Sequence, residues 1–392
     1  MTQTYNDPKG GTASDVGSQI RTDFYAKKAL VEAAKEQYFG QLADVTAMPK
    51  NMGKTIKRFH YMPILDVRNV NGQGIDAAGT TIANGNLYGS SKDVGTISAK
   101  IPALTEAGGR VNRVGMKRLE LEGTIEKFGF FDEYSQESLD FDSDSELMQH
   151  LTTESVKAAN EITEDQLQID LLNGAGVVRY AGVATSDVTL SGETGGITAV
   201  DYDDLVKLSI ELNNNRTPKQ TKVISGSRMV DTKVVNAARV MYVGSEMVPA
   251  LMKMTDYHGN KAFIPVAQYA QAGSVIRGEI GAVDSFRIVE VPEMMKWAGV
   301  GAAVTNDAGY HSTGSNYDVF PMMVVGEGAF TTVGFQTDGK TVKFKIKHVR
   351  PSENHSSADP YGETGFYSIK WYYGTMILRA ERLAVVKTVA LI

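Results

Sequence analysis

The sequence predicts an α+β fold, and three patterns carry that prediction. Residues 145–173 repeat apolar side chains at three- and four-residue steps, as a helix lying on a surface does. Several shorter stretches alternate apolar and polar residues or are continuously apolar, as strands are. Between the strand-like arms near 54–66 and 117–126 lies a glycine-rich excursion without the large apolar residues a core needs. At 392 residues the chain has room for two or three structural units and a large buried core.

The elements follow in order. Residues 1 to about 22 are polar and rich in Gly, Ser, Thr and Asp, which predicts an arm without order unless a partner supplies it. Phe24, Ala29, Leu30, Ala33 and Tyr38 sit near helical spacing and predict a short helix ending at Gly40. The segment 54–66 is extended. Residues 69–91 carry five glycines and read as a long loop, and in 117–126 Leu119, Leu121 and Ile125 alternate with polar residues in a half-exposed strand. Two extended arms around a loop form an excursion of some sixty residues, longer than a compact domain normally holds by itself.

The longest helix comes next, over 145–173. Asp140, Asp142, Asp144 and Glu146 crowd its start, where a helix favours negative charge, and Asn173-Gly174 stops it. Its apolar stripe is read as Leu147, Leu151, Ala158, Ile162, Ile169 and Leu172, narrow enough to predict a spine lying across a sheet. Asp201 caps a helix through about Asn213, 221–225 is a short strand, and 230–240 and 248–254 read as helical. Residues 286–291 form a strand closed by Pro292. Residues 341–349 alternate Val342, Phe344 and Ile346 with Lys343, Lys345 and Lys347; those lysines are read as guarding a sheet edge, with contact to nucleic acid as the alternative. The stretch 369–378 is apolar on both faces and predicts a central strand.

Charge is segregated along the chain. The net charge is −6, but residues 45–118 carry +7 and residues 119–171 carry −13. A basic segment followed at once by an acidic one reads either as two solvated faces of unrelated elements or, more sharply, as self-complementarity between copies. Arg110, Arg113, Lys117 and Arg118 are the candidate basic anchors; Asp132, Glu133, Glu137, Asp140 and Asp142 are the candidate acceptors.

Catalytic chemistry finds no foothold. Absent cysteine removes disulfides, thiol catalysis and iron–sulfur clusters. Asp140-x-Asp142-x-Asp144 opens like a calcium loop, but Ser145 stands at its sixth position and Leu151 at its twelfth. Gly299-x-Gly301 lacks the third glycine of a dinucleotide fingerprint, and no phosphate loop, zinc motif or nucleophile elbow is present. The six histidines fall in no ligand spacing, and Met294-Met295 and Met322-Met323 read as core filler. No catalytic residue, metal or cofactor is expected. Without a membrane-length apolar run or a signal-peptide pattern, the composition predicts a soluble intracellular product.

Longer runs carry a resemblance. Residues 48–66 (Met-Pro-Lys-Asn-Met-Gly-Lys-Thr-Ile-Lys-Arg-Phe-His-Tyr-Met-Pro-Ile-Leu-Asp) resemble the N-terminal signature of the N4-like podophage major capsid protein family. Residues 71–74 (Asn-Gly-Gln-Gly), 104–114 (Leu-Thr-Glu-Ala-Gly-Gly-Arg-Val-Asn-Arg-Val), 278–283 with 286–289, and 373–388 are similar in the same order. The resemblance runs from about residue 20 to the end. It implies a Hong Kong 97-type capsid fold: arm and short helix over 1–45, extended loop over 46–130, peripheral domain with spine helix over 131–199, axial domain over 200–315, and return strands over 316–392. It implies assembly of many copies, as hexamers and pentamers, into the icosahedral head of a tailed bacteriophage. It also implies a portal protein, scaffolding and decoration proteins, and packaged double-stranded DNA held by non-specific proximity. Such a protein assembles in the host cytoplasm, resides in the virion, and has no membrane partner, catalytic residue or implied crosslink. The rival within the same fold is an encapsulin-type nanocompartment shell, for which no cargo-peptide groove is legible.

Overall fold

A computed structural model describes residues 2–5, 14–18, 38–48, 53–61, 94–95, 98, 118–137, 147–225, 231–268, 275–337, 340–341, 344–351 and 360–392. In the N-terminal arm β1 (Thr2–Tyr5) pairs antiparallel with β2 (Ser14–Ser18), so local backbone pairing stands where no order was expected. A 3-10 turn, Phe39–Leu42, precedes β3 (Asp44–Met48) and β4 (Thr55–Tyr61). Then come β5 (Arg118–Thr124), β6 (Glu126–Ser135), helix α1 (Leu147–Asn173) and β7 (Val177–Tyr180). Helix α2 (Tyr202–Asn214) starts at Asp201, whose carboxylate accepts the Asp204 amide at 2.9 Å as the cap anticipated. It leads to β8 (Gln220–Ser225), β9 (Asp231–Gly244), α3 (Val248–Lys253) and β10 (Ile264–Pro265). Next are β11 (Glu279–Val283), β12 (Phe286–Val291), β13 (Ser312–Thr313), β14 (Asn316–Tyr317) and β15 (Phe320–Val325). The chain closes with β16 (Phe330–Thr337), β17 (Lys340–Thr341), β18 (Phe344–Val349), β19 (Thr364–Tyr373), β20 (Thr375–Ile377) and β21 (Leu383–Thr388).

A mixed sheet ordered β10-β11-β12-β9-β15-β21-β7, with β8 also on β9, divides two cores. Successive side chains of a strand point to opposite faces, and each central strand uses both. Val240 and Tyr242 of β9, Met323 and Val325 of β15, and Leu383 and Val385 of β21 enter the core under α1. Met241, Val243, Met322, Val324, Ala384 and Val386 enter the other core, against Leu205, Leu208 and Leu212 of α2 and Leu251 of α3. The helix expected over 230–240 is therefore the strand β9. Its helical spacing of valines and alanines is overridden because residues 231–238 pair antiparallel with β8, while 239–244 are hydrogen-bonded on both edges by β12 and β15.

Helix α1 packs as a spine on β19 and β20, but on a face turned from the expected stripe. Ala159, Leu167 and Leu171 are buried, whereas Ile162 is 44% and Ile169 39% exposed. The side chains of Leu147 and Leu151 lie outside the described residues. Leu172 of the expected stripe does pack against this core; the rest of the described stripe misses because the contact face contains polar residues that find partners. Thr163 Oγ1 donates to the Ala159 carbonyl at 2.7 Å, and Gln168 Nε2 donates to Met294 Sδ at 3.0 Å. Asp170 accepts the hydroxyls of Tyr373 and Thr375. Glu164 accepts the amides of Tyr38 (2.8 Å) and Phe39 (2.7 Å), while the Tyr242 hydroxyl donates to the Tyr38 carbonyl at 2.9 Å. The segment 38–43 is thereby threaded into the core, where Gly278 leaves room for the Tyr38 ring; a Cβ there would stand 2.5 Å from it. The helix expected to end at Gly40 otherwise falls outside the described residues, and Gly40 itself lies within the 3-10 turn.

Two smaller units project from this body. A three-stranded sheet, β18-β19-β6, lays Phe128, Phe130, Ile369, Trp371 and Phe344 toward the α1 core, with β19 central in it. The strand expected over 369–378, however, breaks at Gly374 into β19 and β20 of separate sheets, and Lys370 on the second face of β19 is exposed. At its far end the Tyr134 hydroxyl crosses β19 to His348 Nε2 at 2.5 Å. Gly365 permits the crossing, since a Cβ there would lie 2.7 Å from the Tyr134 ring. The second unit is the antiparallel hairpin β4–β5, the described part of the extended arms. The glycine-rich middle lies outside the described residues.

The core of the larger unit also holds charge. Asp318, 1% exposed, accepts Lys296 Nζ at 2.7 Å and the Gly299 amide at 2.8 Å. Burial pushes its carboxyl up, but the hydrogen bonds from Lys296, Thr313 and Gly299 outweigh that and hold it below the ordinary carboxylate range. A depressed folded pKa gives stability that is complete above the unfolded value of about 4 and is lost as pH falls through the folded value. Urea unfolding should therefore show Asp318→Asn less stable near neutrality but flatter between about pH 6 and 3. Parallel pH profiles for the two proteins would refute this role.

Candidate functional site

Side-chain chemistry of an active site is not what the described residues assemble. Among them no group of three or more His, Asp or Glu side chains could hold a metal ion, and no helix is long and apolar enough to cross a membrane. A groove of about 410 Å³ lined by Met252, Lys261, Phe263, Ile264, Pro265 and Gln268 has no carboxylate or histidine. The acid-rich cluster near Glu193 is a loop clasp. Glu193 accepts the amides of Thr305 and Asn306, both at 2.6 Å, and the Tyr317 hydroxyl at 2.9 Å. The Thr305 amide bond leads the influences that hold its carboxyl below the usual range.

What the molecule presents instead is charged, extended surface. On hairpin β4–β5 the strand register places Lys57, Phe59 and Tyr61 opposite Glu122, Glu120 and Arg118 on one exposed face. Lys57 Nζ reaches Glu120 at 2.5 Å and Glu122 at 2.6 Å, and those hydrogen bonds push its pKa well up. The Arg118 guanidinium lies over the Phe59 ring, 3.9 Å from its centroid. The opposite face rests on the body: Ile56 packs, as Tyr372 does, against Ile125 and Val333, and Gly123 lies against Met376. His60, on that face, is held below its ordinary pKa by burial and by the charges of Arg379 and Arg382.

Of the candidate anchors, Arg118 begins β5 and is exposed; Arg110, Arg113 and Lys117 lie outside the described residues. Of the candidate acceptors, Asp132 and Glu133 are exposed neighbours on β6 and Glu137 follows that strand; Asp140 and Asp142 lie outside. Neighbours on a strand face opposite ways, so Asp132 and Glu133 serve different surfaces. Among the described residues the single subunit pairs Arg118 with none of these acids. A second charged surface escaped the sequence reading. The register of β6, β19 and β18 brings Lys127, Lys370, Lys345 and Lys347 to one sheet face. Only Lys345 and Lys347 were visible as a pattern; Lys127 and Lys370 join them through pairing between distant segments.

Residues 118–388 match the phage capsid protein family. The chain is 59% identical over 388 residues to the major capsid protein of Pseudomonas phage KPP21, an alignment covering 98% of this chain and 97% of that one. Its fold is similar to the capsid of Ralstonia phage GP4, with TM-score 0.59 at 11% identity over 97% of this chain and 98% of that one. It is also similar to the capsid structure of cyanophage P-SCSP1u, with TM-score 0.54 at 11% identity over 94% and 93%. The mature capsid of bacteriophage PhiM1 gives TM-score 0.52 at 13% identity over 97% and 94%.

Proposed function

The chain belongs to the phage capsid protein family, and from that membership we propose how its copies meet and which head they build. It is a structural, non-enzymatic virion protein, a major capsid protein with the Hong Kong 97-type fold that forms the phage head from many copies. The 59% identity over 388 residues carries this conclusion and sets aside the nanocompartment shell.

The finer reading is an icosahedral, hexamer- and pentamer-based head of an N4-like podophage, assembled in the host cytoplasm around double-stranded DNA. The runs at 48–66, 104–114 and 373–388 support it. Portal, scaffolding and decoration proteins are the further partners this reading names. In it the regions 1–45, 46–130, 131–199, 200–315 and 316–392 serve as arm, extended loop, spine-bearing peripheral part, axial part and return strands. The extended loop packs on a neighbouring subunit. Arg110, Arg113, Lys117 and Arg118 of one copy then meet acceptors among Asp132, Glu133, Glu137, Asp140 and Asp142 of the next. The +7 and −13 segments support this, because opposite charges that face each other at every repeat favour one register over others.

Reversing the four basic residues to Glu should slow or misdirect assembly, as read by electron microscopy of particles, while circular dichroism shows a folded subunit. Each exposed pair contributes only about 0–1 kcal/mol, so the defect accumulates through repetition. It should change with salt, because screening acts over about 8 Å at physiological ionic strength. Normal shells from the reversed variant at low salt would reject the assignment.

A further inference from the structure

The three-stranded sheet β18-β19-β6 has one face on the α1 core; its other face is open around Lys127, Phe131, Lys347 and Lys370, while Tyr372 on that face packs with Ile125 and Val333. Cross-strand partners share a face, so the open face is read directly from the register. Lys345 stands opposite Lys370, which stands opposite Gly129; in the next row Lys347, Ser368 and Phe131 align. Lys127 completes the basic group beside Tyr372, and Glu133 is the acid on this face of the described strands. Lys127, Lys347 and Lys370 are exposed and have no ion pair among the described residues. Phe131, in their midst, is 66% exposed.

This face is costly in a lone subunit. A large aromatic ring is left in water among the exposed charges of Lys127, Lys347 and Lys370. A fitting partner must bring anions and apolar cover together. Duplex nucleic acid brings phosphates and would leave Phe131 uncovered. The chain contains a run of the required chemistry: Leu139 and Phe141 alternate with Asp140, Asp142 and Asp144. Laid out extended, such acids recur about every 6.6 Å, the repeat of two strand residues, which is also the spacing of Lys345 and Lys347 along β18.

We propose that the open face formed by Lys127, Lys345, Lys347 and Lys370 around Phe131 receives the acidic-aromatic run 139–144 of a second copy of this chain. The inference rests on the shell reading above. It assigns Asp140 and Asp142 to the lysine face and leaves Asp132 and Glu137 for the arginine anchors, since Glu133 shares the lysine face. The contact is heterologous, a patch on one copy meeting a different patch on the next, and so it can propagate around a closed ring.

The test uses full-length chains assembled in solution and followed by light scattering and electron microscopy. One variant carries Lys345→Glu, Lys347→Glu and Lys370→Glu; the other carries Asp140→Lys, Asp142→Lys and Asp144→Lys. Each alone should assemble about tenfold more slowly than wild type, and an equimolar mixture should recover hexamers, because in an even-membered ring each face finds a complementary run on the other chain. Phe131→Ala, with all charges kept, should slow assembly by a smaller factor and guards against misfolding of the triple variants.

Wild-type rates from both triple variants would overturn the proposal. So would a mixture that stays defective while one chain carrying all six changes recovers, since that places the contact within a copy. Normal shells from the lysine variant, coupled with loss of binding to a 20-bp DNA duplex that Phe131→Ala leaves intact, would make the face a nucleic-acid surface instead. If wild type forms no shells, the shell reading itself falls, an outcome distinct from all of these.

Discussion

Replacing Glu279 by Ala is expected to destabilise the unassembled subunit by about 3–5 kcal/mol, the cost of breaking a buried ion pair from one side. Glu279 opens β11 with its side chain 0% exposed; Oε1 lies 3.3 Å from Arg287 Nε, and the Arg287 side chain is 7% exposed. Oε2 accepts the Ile276 amide at 2.8 Å, which closes the turn entering the strand. Truncation leaves a guanidinium in the protein interior without its carboxylate and an amide without its acceptor, and desolvation makes both expensive. Glu279→Gln keeps an oxygen for the amide and should cost less. Combining Glu279→Leu with Arg287→Met removes both charges and should recover most of the loss, because a buried pair can be exchanged for apolar packing at little net cost. Urea unfolding of the three variants measures this order. A loss below about 1 kcal/mol for Glu279→Ala would show that the pair does not hold β11 to β12.

Leu171→Ala should cost about 2–5 kcal/mol, whereas Ile162→Ala, nine residues earlier on the same helix, should cost the lone subunit less than about 1 kcal/mol. Leu171 is 1% exposed in the core that α1 shares with β19 and β21, so its removal leaves a cavity the surrounding strands cannot fill. Ile162 is 44% exposed and has little to lose before assembly. Equal losses at the two positions would mean that the helix packs on its Ile162 face, as hydropathy spacing alone suggests. Repeating the comparison in assembled particles, by thermal disruption, tests whether a neighbouring copy covers Ile162; a cost that appears only there marks an interface position.

The contrast between these two residues shows how far the sequence reached. It determined by itself the elements whose signals are local. The capping carboxylate of Asp201, the stop at Asn173-Gly174, the alternation of β5 and β18, and the segregation of +7 and −13 along the chain all depend on near neighbours in sequence. The runs that resemble a capsid family were legible for the same reason, and the 59% identity to a major capsid protein over 388 residues agrees with them at that level.

Tertiary structure alone decided the rest, wherever a residue's environment comes from a distant segment. Residues 231–244 became a strand because β8 pairs with 231–238 and β12 and β15 hydrogen-bond to both edges of 239–244, a context no local spacing of valines and alanines contains. The buried face of α1 was chosen by Tyr38, Phe39, Met294, Tyr373 and Thr375, which satisfy Glu164, Gln168 and Asp170 and so let polar residues into the contact. Lys127 and Lys370 stand 243 residues apart and form one basic face with Lys345 and Lys347 only through the register of β6, β19 and β18. Hydropathy and charge are properties of single residues, but burial and electrostatic neighbourhood are properties of pairs. Pairs this far apart in the chain are specified by the fold.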